Sequence, residues 1–519
     1  MATSINEITN EPAIDIALDT IKIKKQALVF CNTRRSCEAT AEKIGKQIKE
    51  NSVVLDELGN KILKVLSSPT RQCRRLANCI RKGTAFHHAG LASKQRKLVE
   101  DSFRQGIIKI ICSTPTLAMG INLPAFRAIL KDLKRYGGRW GLKYIQTLEY
   151  HQMAGRAGRP DFNDEFGEAI CMAKNQDEAD EIVEKFIHAP PEKIYSKLAV
   201  EPVLRTYCLS LVATKFCKSK KTLIEFFEKT FYGHQYGDMQ EIENIIEKIL
   251  GYLEEWEFIK YSGQANDFVT ASDLGSDKLE ATKLGERVAQ LYLDPYTAHF
   301  IITCLRRATQ KIHDEFSYIQ MACSTLELRP LNSVRVKEVE FIEAELGELS
   351  DKLIVYEPSI FEPEYDDFLK SMKTTLALVN WMNEKNEDDI LEEFNIAPGE
   401  LHVKRNLIDW ILFATEEICN LLNFKDLIKI IKKTRYRLDK GVKEELIPLV
   451  RLRNVGRVRA RVLFRNGIKN LGDLKKTDLT KLTQLIGPRV AKNLKKQLGQ
   501  EVEEVKKGKR KGQLGLGKY

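Results

Sequence analysis

Long hydrophobic runs are missing from this sequence. Its 519 residues contain no unbroken apolar stretch of about 18 residues, so no transmembrane helix is predicted. The first ten residues, Met1–Asn10, are polar and lack the apolar core of a signal peptide. These two absences predict a cytoplasmic protein without a membrane partner.

Closely spaced cysteine pairs are missing as well. None of the 11 cysteines forms a Cys-x-x-Cys pair, and the spacing within Cys31/Cys37 and Cys73/Cys79 matches no common zinc site. We therefore predict reduced, buried thiols and no bound metal.

The positive charge is unevenly distributed along the chain. Residues 421–519 carry 28 Lys and Arg against 9 Asp and Glu, whereas residues 1–420 have a net charge of −8. A charged segment is usually a solvated surface. A block this basic, with helical patterning, favours binding to a polyanion such as nucleic acid.

Strand-like and helix-like patterns alternate in residues 20–190. Short apolar runs at Gln26–Cys31 and Ile107–Cys112 predict strands, and amphipathic helices are predicted at Ser36–Lys49 and Ser93–Arg104. This alternation predicts a parallel sheet with crossover helices.

The strongest chemical signal in this region is Tyr150–Pro160 (YHQMAGRAGRP). Arg156 and Arg159 lie three residues apart on one predicted helical face. An arginine at a domain interface can stabilise the charge on a transferring phosphoryl group. The second signal, Ser113–Ala125 (STPTLAMGINLPA), follows a predicted strand, where parallel sheets place their ligands.

Two weaker segments, Phe30–Arg34 (FCNTR) and Phe86–Leu91 (FHHAGL), also lie at strand ends. In order and spacing, the four segments resemble motifs IV, IVa, V and VI of superfamily 2 helicases, and above all the archaeal Hjm/HELQ-type DNA helicases. The resemblance extends over almost the whole chain from residue 15 and is most specific in residues 26–160. A histidine pair such as His87/His88 is more often structural than catalytic.

The resemblance implies a second RecA-like lobe that uses ATP and Mg²⁺ together with a first lobe. Gln152, Arg156 and Arg159 would meet ATP, and Gly120 and Asn122 would lie at the nucleotide and lobe interface. Thr33, Arg34 and Thr114 would face the DNA backbone.

A β-hairpin is predicted at Leu130–Leu148, because Gly137-Gly138 separates two runs with apolar and aromatic residues. In the resembling family, a hairpin here wedges between the duplex strands. Tyr136, Trp140 and Tyr144 would then stack on the last base pair. The alternative is that these aromatic residues pack the hairpin onto its own lobe.

A phosphate-binding loop does not occur in the sequence. It has no Gly-Lys-Ser/Thr triplet and no Asp-Glu-x-His motif. The residues before the first predicted strand are too few for a RecA-like lobe. We therefore expect the C-terminal part of a helicase, as a fragment or one half of a split enzyme. It would be inactive alone and would require a first-lobe partner.

Helical patterns dominate after residue 195, and the overall prediction is a multidomain fold. Its parts are an α/β RecA-like lobe with a parallel sheet (1–194), a winged helix (195–295), an all-α ratchet bundle (296–420), a helix-hairpin-helix-type DNA-binding domain (421–504) and a basic tail (505–519).

The helix after the A-P-G-E-L turn at 397–401 corresponds in the family to one that lies across the single strand. Trp410 would stack on a base there, unless it is a buried core residue. The family's arginine two turns earlier is replaced by Val403, so Lys404 or Arg405 would have to supply that contact.

The basic block contains Val450–Gly467 (VRLRNVGRVRARVLFRNG), which resembles a helix-hairpin-helix, with a weaker copy at 485–490. Gly456 would let a phosphate approach the backbone, and Arg457, Arg459 and Arg461 would supply charge. A brace between domains is the alternative, and it is compatible with DNA binding. Gln513, Leu516 and Tyr519 partly match a sliding-clamp peptide.

The resemblance implies an ATP-dependent DNA helicase that moves 3′ to 5′ and acts on forked or branched DNA, and we expect it to be associated with the nucleoid. Its expected partners are DNA and a first lobe, with a sliding clamp and a single-strand-binding protein as further candidates. One alternative is a non-catalytic DNA-binding adaptor that keeps the lobe fold. Another is an RNA helicase of the exosome-assisting group, which the helix-hairpin-helix pattern disfavours although phosphate contacts do not exclude RNA.

Overall fold

The computed structural model describes residues 5–49, 52–66, 69–120, 122–136, 142–159, 164–237, 239–261, 278–310 and 313–500. The described residues form two compact units. Unit 1 comprises those within 1–378 and 386–432, and unit 2 comprises those within 379–385 and 433–500.

A parallel five-stranded sheet forms the centre of the first part of unit 1. The strands up to residue 171 are β1 (Ala27–Phe30), β2 (Thr84–His87), β3 (Ile110–Ser113), β4 (Arg127–Leu130), β5 (Lys134–Tyr136), β6 (Leu142–Tyr144) and β7 (Glu168–Cys171). The sheet has the order β2-β3-β1-β4-β7, with every neighbouring pair parallel. Strands β1 to β4 are buried throughout, which explains their nearly continuous apolar sequences.

Helices cover this sheet: α1 (Pro12–Lys22), α2 (Arg34–Gln47), α3 (Val53–Leu63), α4 (Arg71–Ile80), α5 (Ser93–Arg104), α6 (Thr116–Gly120), α7 (Thr147–Ala154) and α8 (Gln176–Ile182). Thr33 begins α2 and Thr70 begins α4, because each hydroxyl oxygen accepts a backbone N–H of the first turn. The strands predicted near residues 26 and 107 and the helices predicted near residues 36 and 93 are confirmed as β1, β3, α2 and α5. The predicted parallel sheet is confirmed as well.

A mixed segment follows the sheet. It comprises α9 (Glu201–Ala213), α10 (Lys220–Glu228), α11 (Phe231–Tyr236), α12 (Met239–Glu255), the antiparallel pair β8 (Ile259–Tyr261) and β9 (Leu279–Ala281), and α13 (Lys283–Gln290). Buried Arg205 of α9 donates to both carboxylate oxygens of Asp294, which follows α13, at 3.0 and 3.1 Å. This pair connects the first helix of the segment to the residues just after its last helix.

The rest of unit 1 is helical in its described residues. The helices are α14 (Pro295–Ala308), α15 (Glu315–Cys323), α16 (Val336–Leu349), α17 (Tyr365–Met382), α18 (Glu387–Phe394), α19 (Pro398–Leu421) and α20 (Lys425–Lys440), and α17 and α20 continue into unit 2. At 24 residues, α19 is roughly 36 Å long. It packs against α13, α14 and α15, which fixes it as the central helix of this group.

Besides the ends of α17 and α20 and a 3-10 turn at Glu444–Leu446, the described residues of unit 2 form five short α-helices around a small core. They are α21 (Ile447–Val450), α22 (Arg457–Arg465), α23 (Leu471–Lys476), α24 (Leu479–Ile486) and α25 (Pro488–Gln497). Leu449, Leu463, Leu482 and Leu494 are among its buried residues. No helix in the described ranges is long and apolar enough to cross a membrane.

Candidate nucleotide and nucleic-acid interface

The two strongest sequence motifs meet in the fold. The segment after α7 pairs with the segment before β4, since Ala125 N donates to Arg156 O at 2.9 Å and Gly158 N donates to Ala125 O at 2.7 Å. The Arg156 side chain donates to Ala118 O at 3.2 Å and to Asn122 Oδ1 at 3.3 Å. The structure therefore brings the predicted residues Asn122 and Arg156 together, with the Arg156 guanidinium only half-buried.

Arg159, which was also predicted to meet ATP, is buried and bonded within the lobe. Its side chain is 6% exposed and donates to Gln26 Oε1 at 2.7 Å and to Asp164 Oδ2 at 2.9 Å. Lys25 also pairs with Asp164. Burial alone would raise the pKa of Asp164, but the hydrogen bonds from Arg159 and Lys25 hold that pKa below its usual range. In this arrangement Arg159 is bonded inside the lobe and positions the motif VI turn.

Gln152 presents an unpaired polar atom on the same motif. Its Oε1 is shielded from solvent and has no hydrogen-bond partner among the described residues. Gly120, at the end of α6, is exposed, and a Cβ placed there would meet no atom within 4 Å. An acceptor of this kind fits a ligand that donates a hydrogen bond, such as a nucleotide.

The motif IV residues have partners within unit 1. The Thr33 hydroxyl accepts the Ser36 N–H at 3.1 Å, as the N-cap of α2. The Arg34 guanidinium lies 2.5 Å from Glu400, at the start of α19, so it is an ion-pair partner here and not a free phosphate ligand. In motif V, the Thr114 hydroxyl lies 3.0 Å from the Thr116 hydroxyl and is partly exposed.

Both motif IVa histidines have structural positions, as their sequence context favoured. His87 Nε2 lies 2.9 Å from Glu100, and His88 Nε2 lies 3.2 Å from Glu38. Burial lowers the pKa of His87, although the Glu100 carboxylate opposes that shift. His88 Nδ1 accepts the Gly90 N–H at 3.2 Å, which requires the neutral tautomer protonated on Nε2.

The predicted hairpin strands are present as the antiparallel pair β5 and β6. Tyr144 packs on its own lobe: its hydroxyl donates to Glu181 at 2.7 Å and its ring meets Phe186 edge-on. The turn Gly137-Gly138, Trp140 and the Tyr136 side chain lie outside the described residues. The geometry of Tyr144 therefore favours the packing alternative for that residue.

On α19, Trp410 is half-buried, and its indole N–H donates to Leu291 O at 3.1 Å. Lys404 is buried with its ammonium group bonded to Pro330 O at 3.3 Å, and burial lowers its pKa. It is therefore not the replacement for the missing arginine that the sequence suggested. Arg405 is half-buried, whereas Val403 is exposed.

In unit 2, two of the three predicted phosphate-binding arginines are used internally. The Arg457 guanidinium stacks 4.1 Å above the Trp381 ring. Arg461 pairs with Glu384 and lies 2.8 Å from Glu445, and these carboxylates raise its pKa. These two contacts act as a brace within unit 2.

The third arginine and its neighbouring glycine are open to solvent. Arg459 is exposed and donates to the nearby Asn454 O at 2.9 Å. A Cβ at Gly456 would meet no atom within 4 Å, so the backbone at the start of α22 is accessible. The tail residues Gln513, Leu516 and Tyr519 lie outside the described residues.

No group of three or more His, Cys, Asp and Glu side chains in the described part of the chain is arranged to hold a metal. Asp177–Asp180 spells the letters DEAD, an acidic helicase motif, but it forms the first turn of α8. Asn175 caps that turn, and Glu178 pairs with Lys134 at 2.9 Å. Asp177 and Glu178 are therefore acidic residues of a first helical turn, where carboxylates are stabilising.

Sequence reasoning missed the residues that position the motif side chains. These are Gln26, Glu38, Asp164, Glu384 and Glu400, each of which bonds a motif histidine or arginine. Only Glu400 carried a usable signal, because a Glu three residues after a helix N-cap predicts a capping box. The other four have no distinctive local pattern.

Comparison with known proteins finds three family models in the chain. Residues 51–161 match the model of the helicase conserved C-terminal domain, 167–260 match a helix-turn-helix domain, and 316–441 match domain 4 of archaeal helicases. The chain is 36% identical over 532 residues to the ATP-dependent DNA helicase Hel308 of Methanococcus vannielii, covering 96% of this chain and 68% of the relative. The chain belongs to the Hel308 family.

Two further Hel308 helicases show the same extent of similarity. Those of Methanocella arvoryzae and Pyrococcus horikoshii are each 36% identical, over 96% of this chain and 66% and 67% of their own lengths. The chain thus spans about two thirds of the length of the Hel308 relatives that it matches. Arg156, Gln152 and α19 all lie within the part that the Hel308 comparisons cover.

Proposed function

We propose that this chain is the second motor lobe and the DNA-handling part of an ATP-dependent DNA helicase. It works with a first RecA-like lobe, which is supplied by a separate chain or by a covalently linked segment. The observation that carries the proposal is the junction of motifs V and VI. There, Arg156 is fixed by Ala118 and Asn122, and Oε1 of Gln152, four residues earlier, has no hydrogen-bond partner among the described residues.

In the proposed ATP site, Arg156 and Gln152 are the residues of this chain that meet the nucleotide. Arg156 offers a fixed positive charge to the negative charge that develops on the phosphates. Gln152 Oε1 offers a hydrogen-bond acceptor to a donor group of the nucleotide. Bound Mg²⁺ neutralises phosphate charge. By resemblance to the family, its ligands belong mainly to the first lobe. Arg159 acts indirectly, by holding the motif VI turn.

The proposed DNA contacts use residues of the predicted set that are exposed or half-buried. Thr33 and Thr114 face the backbone, Trp410 and Arg405 lie along the single strand on α19, and Gly456 with Arg459 grips phosphates in unit 2. The hairpin of β5 and β6 separates the strands, with Tyr136 and Trp140 at the junction. By resemblance to the family, movement is 3′ to 5′ and the substrate is forked or branched DNA.

The proposed setting is the nucleoid, with DNA as the principal partner. A sliding clamp and a single-strand-binding protein are further candidate partners, the first from the sequence of the tail. Neither is needed for the motor chemistry. The clamp contact is testable by comparing pull-downs with the full chain and with the chain truncated after residue 512, and the contact with a single-strand-binding protein is testable by pull-down with the full chain.

The test of this function is reconstitution with the first lobe of a Hel308 relative. The assembly should unwind a forked duplex with a 3′ single-stranded arm when ATP is present, and it should not unwind one with only a 5′ arm. Unwinding of neither substrate, with DNA binding retained, would favour the non-catalytic adaptor instead.

A further inference from the structure

The N-terminal turn of α19 is held against the loops at the strand ends of the sheet. Gly399 N donates to Gly90 O at 3.1 Å, and the Glu400 carboxylate lies 2.5 Å from the Arg34 guanidinium. Gly90 belongs to the loop of residues 88–92, and Arg34 begins α2. The helix proposed to carry the single strand is therefore attached to the motif IV and IVa segments.

The contact at Gly399 leaves no room for a side chain. A Cβ at this position would lie 2.5 Å from Leu91 O and would overlap Ala89 O as well. Both are backbone atoms that cannot rotate away, so only glycine permits this approach. Nearby, Asp388 at the start of α18 accepts the Arg71 N–H of α4 at 2.7 Å, a second attachment of the helical region to the lobe.

A buried polar network supports the 88–92 loop from beneath. Glu38 accepts hydrogen bonds from His88 at 3.2 Å and from Gln72 at 2.7 Å, and it also pairs with Arg75. His88 in turn accepts the Gly90 N–H. Because Glu38 lies one turn after Arg34 on α2, the same helix supports both contacts with α19. A fully bonded network of this kind makes the loop a rigid attachment point.

We propose that Arg34, the 88–92 loop, Gly399 and Glu400 form a clamp, the α19 clamp, which makes α19 move together with the motor lobe. This inference rests on the proposed function, because it assumes that the single strand lies on α19. Gly399 and Glu400 are positioning residues that do not touch the reacting phosphate. Loosening the clamp lets ATP be hydrolysed while the strand advances less per cycle.

The chain offers variants that separate the parts of the clamp. Glu400 Oε2 also accepts the Ala397 N–H at 3.0 Å, as half of a capping box. Glu400→Gln keeps that acceptor and removes only the charge opposite Arg34. Gly399→Ala forces the turn away from the loop. Glu392→Gln, on the exposed surface of α18, is the control with the same charge change.

The experiment measures base pairs unwound per ATP hydrolysed, in an assembly that contains both lobes. We expect Glu400→Gln and Gly399→Ala to lower this ratio severalfold while ATP turnover on DNA stays near the wild-type rate. Glu392→Gln should match the wild type. The pair is partly exposed, so thermal unfolding should change little in Glu400→Gln. An unchanged ratio in both clamp variants overturns the proposal.

Amide hydrogen exchange on the chain alone separates this proposal from the proposed function. The Gly399 amide should exchange faster in Glu400→Gln than in the wild type or in Glu392→Gln, because its bond to Gly90 opens more often. If the wild-type assembly does not unwind DNA, the proposed function fails. Unchanged exchange at Gly399 would overturn the clamp whatever the unwinding result.

Discussion

The Arg159 guanidinium donates a 2.7 Å hydrogen bond to Oε1 of Gln26, which lies 133 residues earlier in the chain. The Gln26 amide nitrogen donates to Phe103 O and Ile108 O, both at 2.8 Å, so every polar group of this side chain is used. Motif VI is thereby fixed to the beginning of β1. The two arginines of that motif consequently have different roles, one inside the lobe and one at its surface.

Arg159→Ala should lower the free energy of unfolding by roughly 3 kcal/mol, because it leaves the buried Gln26 amide oxygen unpaired and leaves the buried Asp164 carboxylate with Lys25 alone. Arg156→Ala should lower it by only about 1 kcal/mol, since that side chain is half-buried and bonded to a carbonyl and an amide oxygen. Urea unfolding of the two variants measures the difference. Equal losses of stability would show that Arg159 is not the structural member of the pair.

Features that depend on residues close together in the sequence could be predicted, whereas contacts between residues far apart in the sequence could not. The strands β1 and β3 were predictable because continuous apolar runs give buried parallel strands. The order of the motifs likewise predicted that Arg156 and Asn122 belong to one site, and the two side chains are in contact in the fold. The direction of an arginine side chain was not predictable, because it depends on partners such as Gln26 for Arg159 and Glu400 for Arg34. Those partners lie far away in sequence and come close only through the fold.

The stability of unit 1 should fall in mild acid, in part because of His87. Burial lowers the pKa of this histidine, so the folded chain resists a proton that the unfolded chain binds below its ordinary pKa of about 6.5. Stability therefore rises with pH between the lowered folded pKa and about 6.5. His87→Gln should flatten this dependence in urea titrations at stepped pH.

The matched control for this effect is His402→Gln, since His402 is exposed on α19. That variant should keep the pH dependence of the wild type. If both variants keep it, protonation of His87 contributes nothing measurable to acid unfolding.

DNA affinity in unit 2 should depend on the exposed arginines and not on the braced ones. Arg453, in the turn before α22, is exposed as Arg459 is. Arg453→Ala with Arg459→Ala should flatten the log–log salt dependence of duplex binding by about 0.9 for each lost phosphate contact. The titration covers about 50–200 mM salt, where counterion release dominates non-specific affinity.

Arg461→Ala is the control for that titration. Its guanidinium is committed to Glu384 and Glu445, so the variant should lose stability while keeping the salt slope. If Arg461→Ala changes the salt slope more than the double variant does, Arg461 contacts DNA and the proposed roles of these arginines are wrong.

Substitution of Trp410 with Phe and with Ala should distinguish its two candidate roles, stacking on a base and packing within the fold. Phe keeps a stacking ring but loses the indole hydrogen bond to Leu291 O, at a stability cost of about 1 kcal/mol. Ala loses the ring, which should weaken single-strand binding by about 1–3 kcal/mol if a base stacks there. If neither variant changes affinity in a single-strand titration, Trp410 is purely a packing residue.

We propose that this chain supplies the arginine side of a shared ATP site. DNA-stimulated ATP turnover of Arg156→Ala, in an assembly with a first lobe, tests it most directly. We predict that the wild-type chain of residues 1–519 alone shows no turnover, because it has no phosphate-binding loop. With the first lobe added, it should show DNA-stimulated turnover, which Arg156→Ala should reduce by about 10³-fold or more. Turnover by the chain alone, or an Arg156→Ala assembly as active as the wild type, would contradict the claim.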